Sequence, residues 1–185
     1  MAEIVLFHSA YGLRPAVQDA AERLRQTGHH VTVPDLYRGA TAATLEEALA
    51  IRDRIGREVL LDRARAAAAA APNDSVLAGF SLGAALAQRV ANTDPRFVRL
   101  LLFHDFAELG AQSPKWWVQA HFAVGDPFTP KDEIDPWRAS LEARGSEVEV
   151  AFHRGGHLFT DPGLPDHDAA SAATAWEMAE RFLRA

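Results

Sequence analysis

The chain has 185 residues, a formal charge of −6, 48% apolar and 24% charged residues, the profile of a globular protein with one domain over residues 1–185. It has no cysteine, which excludes disulfides, zinc–thiolate sites and a cysteine nucleophile. An acidic balance without a basic stripe argues against nucleic acid as a partner, and with no signal peptide and no apolar run of ~20 residues the sequence reads as a cytoplasmic protein off the membrane.

Short β-type runs alternate with helical patterns. Glu3–Phe7 reads as a buried strand. Pro15 opens a helix over residues 15–27, with Val17, Ala21 and Leu24 on one face and Gly28 as its stop. Residues 30–34 form the second strand. Residues 45–71 read as one long helix with Ala48, Ile51, Ile55 and Val59 as its apolar stripe. Residues 75–80 form the third strand, followed by a helix striped by Leu82, Leu86 and Val90. Residues 98–103, 118–124 and 147–152 give strands four to six, with a helix over 137–143 between the last two. Residues 168–184 form a closing helix with Ala172, Trp176, Ala179 and Leu183 inward. Such alternation predicts an α/β fold, a mainly parallel sheet of six or seven strands with helices on both faces. Its strands read as doubly covered apolar runs.

Active sites of open α/β sheets lie at the carboxyl ends of the strands. After strand three comes Gly79-Phe80-Ser81-Leu82-Gly83, a G-x-S-x-G run between a strand and a helix, the context of a nucleophile elbow. Asp126 follows strand five and His157 follows strand six, giving the chain order Ser81, Asp126, His157 of an α/β-hydrolase triad. Serine is a poor nucleophile alone, so it needs a base in hydrogen-bond reach, and the base needs an orienting carboxylate. Asp105 competes as the acid; His153 and His167 compete as the base. Gly155 and Gly156 free the backbone to aim the His157 ring. The backbone N–H of Leu82, at a helix N-terminus, and that of Ala10, in the loop after strand one, are the expected oxyanion donors. Ser9, Tyr11, Tyr37, Trp116, Phe128 and Phe159 are candidate pocket residues, with loops 37–44 and 107–115 shaping the pocket. His153 and His157 are not on a helix, so they form no H-x-x-x-H metal pair, and no phosphate-binding glycine loop is present.

The run Val33-Pro34-Asp35-Leu36-Tyr37-Arg38-Gly39, the elbow at residues 79–83, the run at 121–130 around Asp126 and Gly155-Gly156-His157-Leu158-Phe159 together resemble the dienelactone hydrolase family of α/β hydrolases. The resemblance covers most of the chain. It implies a compact hydrolase without metal or organic cofactor, a triad on Ser81, Asp126 and His157, and oxyanion donors on Leu82 and Ala10. Two departures stand out. Ser81 occupies the place of the family's cysteine, and Ser9 the place of a glutamate that partners the thiol. Both fit a serine hydrolase and separate the chain from dienelactone as a substrate. Arg52, Arg54 and Arg154 are the candidates for holding a substrate carboxylate.

The expected function is cleavage of a small carboxylic ester, lactone or thioester through an acyl-enzyme on Ser81. Two alternatives use the same features: a silent hydrolase-fold binding protein, and an acyltransferase in which a different acceptor takes the acyl group.

Overall fold

A computed structural model describes residues 1–111 and 113–185 of the chain. Gln112, in the 107–115 loop, lies outside the described residues. In chain order the elements are β1 (Glu3–Phe7), α1 (Pro15–Gln26), β2 (His30–Thr32), α2 (Leu45–Ile55), α3 (Arg57–Ala69), β3 (Val76–Phe80), α4 (Leu82–Ala91), β4 (Arg99–Phe103), β5 (Trp117–Ala123), α5 (Lys131–Ala143), β6 (Glu147–His153) and α6 (Ala169–Arg184). The six strands form one parallel sheet in the order β2-β1-β3-β4-β5-β6.

Alternation along each central strand builds two cores. Val5 and Phe7, with Leu100 and Leu102, point to the face covered by α3, α4 and α5. There they meet Leu60, Leu86, Val90, Trp137 and Leu141. Ile4 and Leu6, with Leu101 and Phe103, point to the other face, against Val17, Ala21 and Leu24 of α1 and Trp176, Ala179 and Phe182 of α6. β1 leads outward to β2, and the chain then returns to place β3 on β1's other side. The crevice at this reversal of strand order opens between the loops after β1 and β3. Among the described residues no helix is long and apolar enough to cross a membrane.

Three expectations need correction. The long helix is two helices: Gly56 sits between them at φ +88°, and nothing lies within 4 Å of where its Cβ would be. Backbone conformation alone therefore calls for glycine there. The break re-phases the apolar stripe, so Leu60, Leu61 and Ala64 are buried while Val59 is exposed. α5 begins six residues earlier than its apolar pattern suggests: Pro130 precedes it, Asp132 and Glu133 fill its first turn, and Pro136 is accommodated within it. β6 is an edge strand in which the exposed Glu147 and Glu149 alternate with the half-buried Val148 and Val150, where a doubly covered strand would be apolar throughout; Phe152, on the valine face, is also exposed.

Candidate active site

β3 delivers the chain to Ser81, and α4 starts at the next residue. Ser81 has φ +50° and ψ −116°, a region that L-residues avoid. Two glycines permit the turn. A Cβ on Gly79 would sit 2.3 Å from the Gly83 carbonyl carbon, and one on Gly83 would sit 2.3 Å from the Phe7 oxygen. Strand, helix and the end of β1 thus meet backbone to backbone. The Ser81 N–H donates to the Phe103 carbonyl at 2.8 Å, tying the strained turn to β4.

The Ser81 hydroxyl lies 2.7 Å from His157 Nε2, and His157 Nδ1 lies 2.6 Å from Asp126 Oδ2. The Asp126 side chain is wholly shielded from solvent and that of His157 nearly so. Asp126 is also held from its own turn: Oδ1 accepts from the Phe128 N–H at 2.9 Å and Oδ2 from the Thr129 hydroxyl at 2.9 Å. Burial pushes its carboxyl upward, but His157 and these two donors outweigh it, and the group titrates below the usual carboxylate range. An alcohol, an imidazole and a carboxylate in one hydrogen-bonded line can pass the alcohol's proton to the ring while the carboxylate steadies the resulting charge.

The loop after β1 is pinned from several sides. Gly12, at φ +83°, bridges to Thr41, and a Cβ there would strike the Ala40 oxygen at 2.4 Å. The buried His8 ring donates from Nδ1 to the Ser9 carbonyl at 2.8 Å and accepts the Leu36 N–H at Nε2 at 3.1 Å. Burial lowers its pKa, consistent with the neutral tautomer those two bonds demand. Among the described residues, neither the Ala10 nor the Leu82 N–H has a protein acceptor.

A cavity of about 350 Å³ opens over Ser81, His157 and both amides. Tyr11 and Phe128 line it, as expected. The other four candidate pocket residues do not. Trp116 is buried before β5, at the amino end of the sheet, because the strand starts at Trp117. Tyr37 is buried edge-on to His8, 4.8 Å away, and burial pushes its hydroxyl up to about 12. Phe159 is fully buried between the rings of His104 and His153. Ser9 faces a second cavity, between α1 and α6.

Asp105 also lines the Ser81 cavity, but its Oδ1 accepts the Phe106 N–H at 2.7 Å, while His157 is bonded to Asp126. Burial raises Asp105 to about 6. His153 is paired with His121 at 3.0 Å, and His167 Nδ1 donates to the Phe159 carbonyl. Of the arginine candidates, Arg52 reaches the cavity and Arg54 and Arg154 do not. Sequence reasoning missed Arg57 and Arg89, which do. Arg89 was accessible by spacing, since Leu82, Ala85 and Arg89 share one face of α4. Among the described residues no group of three or more His, Asp or Glu is placed to hold a metal ion.

Solved structures share this fold. The dienelactone hydrolase-like promiscuous phosphotriesterase P91 from metagenomic libraries superposes with a TM-score of 0.81 at 21% identity, covering 100% of this chain and 86% of that one. A Klebsiella pneumoniae protein described among the dienelactone hydrolases gives 0.79 at 18% identity, covering 100% and 87%. Esterase PE8 gives 0.69 at 18% identity, covering 98% and 93%. A comparison with curated proteins gives no match. The model of the dienelactone hydrolase family matches residues 1–185; the chain belongs to that family, as an α/β hydrolase acting on ester bonds.

Proposed function

We propose that the chain is a serine hydrolase that cleaves a small carboxylic ester, lactone or thioester through an acyl-enzyme on Ser81. The observation that carries this reading is the line from Ser81 Oγ through His157 to Asp126, at 2.7 and 2.6 Å, beneath two backbone N–H groups without protein acceptors.

Ser81 Oγ attacks the substrate carbonyl carbon as its proton passes to His157 Nε2. Asp126 accepts the Nδ1–H bond and stabilises the imidazolium. The Ala10 and Leu82 amides bind the oxyanion, Leu82 with the help of the α4 N-terminus; one such donor lowers the barrier by about 3–4 kcal/mol. His157 then returns the proton to the departing alkoxide or thiolate as the carbonyl bond to it breaks. Water, deprotonated by His157, attacks the acyl-enzyme, and Ser81 leaves with that proton. Arg57 and Arg89, together with Arg52, which is paired with Asp53 at 2.8 Å, outnumber the one lining carboxylate, Asp105, in a cavity whose walls also include Leu49, Leu86 and Phe106, which favours substrates bearing a carboxylate or similar anion on a short apolar body.

The test is reaction with a fluorophosphonate probe, which needs an activated serine. The expected result is stoichiometric labelling at Ser81 and faster hydrolysis of activated half-esters of dicarboxylic acids than of their uncharged analogues. An unlabelled Ser81 under native conditions overturns the mechanism; preference for the uncharged analogues overturns the substrate class alone.

A further inference from the structure

α1 and α6 lie on the same face of the sheet and leave a cavity of about 510 Å³ between them, larger than the one over Ser81. It exists because the facing positions are alanines, Ala16 and Ala20 on α1 and Ala169, Ala172 and Ala173 on α6. Two ion pairs link its walls, Arg14 with Asp161 at 3.6 Å and Arg23 with Glu180 at 2.8 Å. Ser9, Phe80 and Leu158 line it, the immediate chain neighbours of Ala10, Ser81 and His157. Leu158 also lines the Ser81 cavity, so one side chain stands between the two.

Its polar groups select a ligand. The Ser9 side chain lies in a residue only 5% exposed, and its Oγ accepts the Tyr11 N–H at 3.3 Å. Among the described residues its own proton has no acceptor. Thr160 Oγ1 lies 2.7 Å from His104 Nε2, while His104 Nδ1 is buried without a partner. A buried lone pair left bare costs less than a buried N–H left bare, so the ring proton belongs on Nε2 and donates to Thr160. The Thr160 hydroxyl proton is then free to donate into the cavity. Two hydroxyl donors thus sit among apolar walls that include Phe80 and Trp176. The lining cation Arg23 is engaged by Glu180 and Asp161 is balanced by Arg14, which leaves Asp19 as the lining carboxylate without an ion-pair partner among the described residues, a setting that disfavours carboxylates.

We infer that the α1–α6 cavity is a second small-molecule site, taking an uncharged ligand with a ring-sized apolar body and a carbonyl-type acceptor that receives the Ser9 and Thr160 hydroxyls. Its volume is within the ordinary range of ligand pockets, about 300–1,000 Å³.

Isothermal titration calorimetry with 2-acetonaphthone, and with 2-naphthoate as its anionic counterpart, tests this on the full chain. Ala173→Phe and Ala169→Phe each fill the cleft from an exposed helix position, whereas Ala85→Phe fills the Ser81 cavity. The ketone is expected to bind at one site, to lose at least about tenfold in affinity with either α6 substitution, and to hold within about twofold in Ala85→Phe. In Ala85→Phe the naphthoate should bind at least about tenfold more weakly than the ketone. Ketone binding lost in Ala85→Phe but kept in both α6 variants overturns the site. Naphthoate matching the ketone in Ala85→Phe overturns the ligand class. No binding up to the ketone's solubility overturns both.

Discussion

Thr129 donates its hydroxyl at 2.9 Å to Asp126 Oδ2, the same oxygen that receives His157 Nδ1–H at 2.6 Å. The turn that carries the acid therefore also aims it. Thr129 is 2% exposed, so water does not replace its bond.

Thr129→Val should therefore weaken the Ser81 reaction without unfolding the chain. A hydrogen bond to a charged group is worth about 1.5–3 kcal/mol, which corresponds to a fall in kcat/KM of about ten- to hundredfold. Thr129→Ser keeps the donor and should restore most of the rate. Steady-state kinetics on one activated ester checks both; equal losses in the Val and Ser variants would show that the methyl group, and so packing, is what matters.

Ser81 couples activity to strain. Ser81→Ala should leave the fold intact and lower kcat by up to about 10⁶. Ser81→Gly should do the same and also relieve the φ +50° backbone, a gain of about 1 kcal/mol. For a chain of this size that raises Tm by about 2–4 °C. A Tm for Ser81→Gly at or below that of Ser81→Ala would mean that the turn stores no strain.

The two cores and all six strand positions were legible, the central strands because they are dense apolar runs with turn residues on either side. The elbow and its two partners were legible because strand ends fix where polar residues can act, and Ser81, Asp126 and His157 are each the polar residue that follows or nearly follows a strand. What the sequence hid has physical reasons. Gly56 sits in a pattern whose apolar spacing continues on both sides, and a positive φ leaves no mark on that spacing. Trp116 precedes the strand expected over residues 118–124, so chain order alone would have placed it at the amino end of the sheet, away from the site. Arg57 is the first residue of α3, directly after Gly56, and it lines the cavity; one continuous helix through this point would give no reason to single it out.

Gly83 and Gly56 should respond differently to alanine for the same reason. At Gly83 the new Cβ meets the Phe7 carbonyl at 2.3 Å and backbone on both sides would have to move. Gly83→Ala should displace Ser81 and cost about 3 kcal/mol or more, with activity lost even where the chain still folds. Gly56→Ala meets no atom and carries only the penalty of φ +88°, about 1–2 kcal/mol. Urea unfolding of both variants measures the contrast, and comparable losses would show that the close approach at Gly83 is relaxed without cost.

Acid should destabilise the fold through its interior histidines. His8, His104 and His121 are all buried and held below their ordinary value, chiefly by desolvation, His121 at about 3. His121 is fixed neutral on both sides, with Nε2 bonded to Gln119 Oε1 at 3.1 Å and Nδ1 to His153 Nε2 at 3.0 Å. The unfolded chain takes up a proton at each near pH 6.5, and the folded chain refuses it. Stability from these groups is therefore complete above that pH and drains as pH falls below it, until the folded values are reached. Asp105 opposes one of the three: its carboxyl, raised to about 6, binds a proton in the folded state first and so gains stability between about pH 6 and its unfolded value of 3.8. The buried histidines, with His153 lowered by burial as well, outnumber Asp105, so the net effect is proton uptake on unfolding and a stability that falls as pH drops below about 6.5. Urea midpoints between pH 7.5 and 4.5 measure it. Asp105→Asn should steepen the slope by about one proton, or about 1.4 kcal/mol per pH unit, because the opposing group is gone while the three histidines stay buried; a flat profile in both proteins would mean that these rings are reached by protons in the folded state.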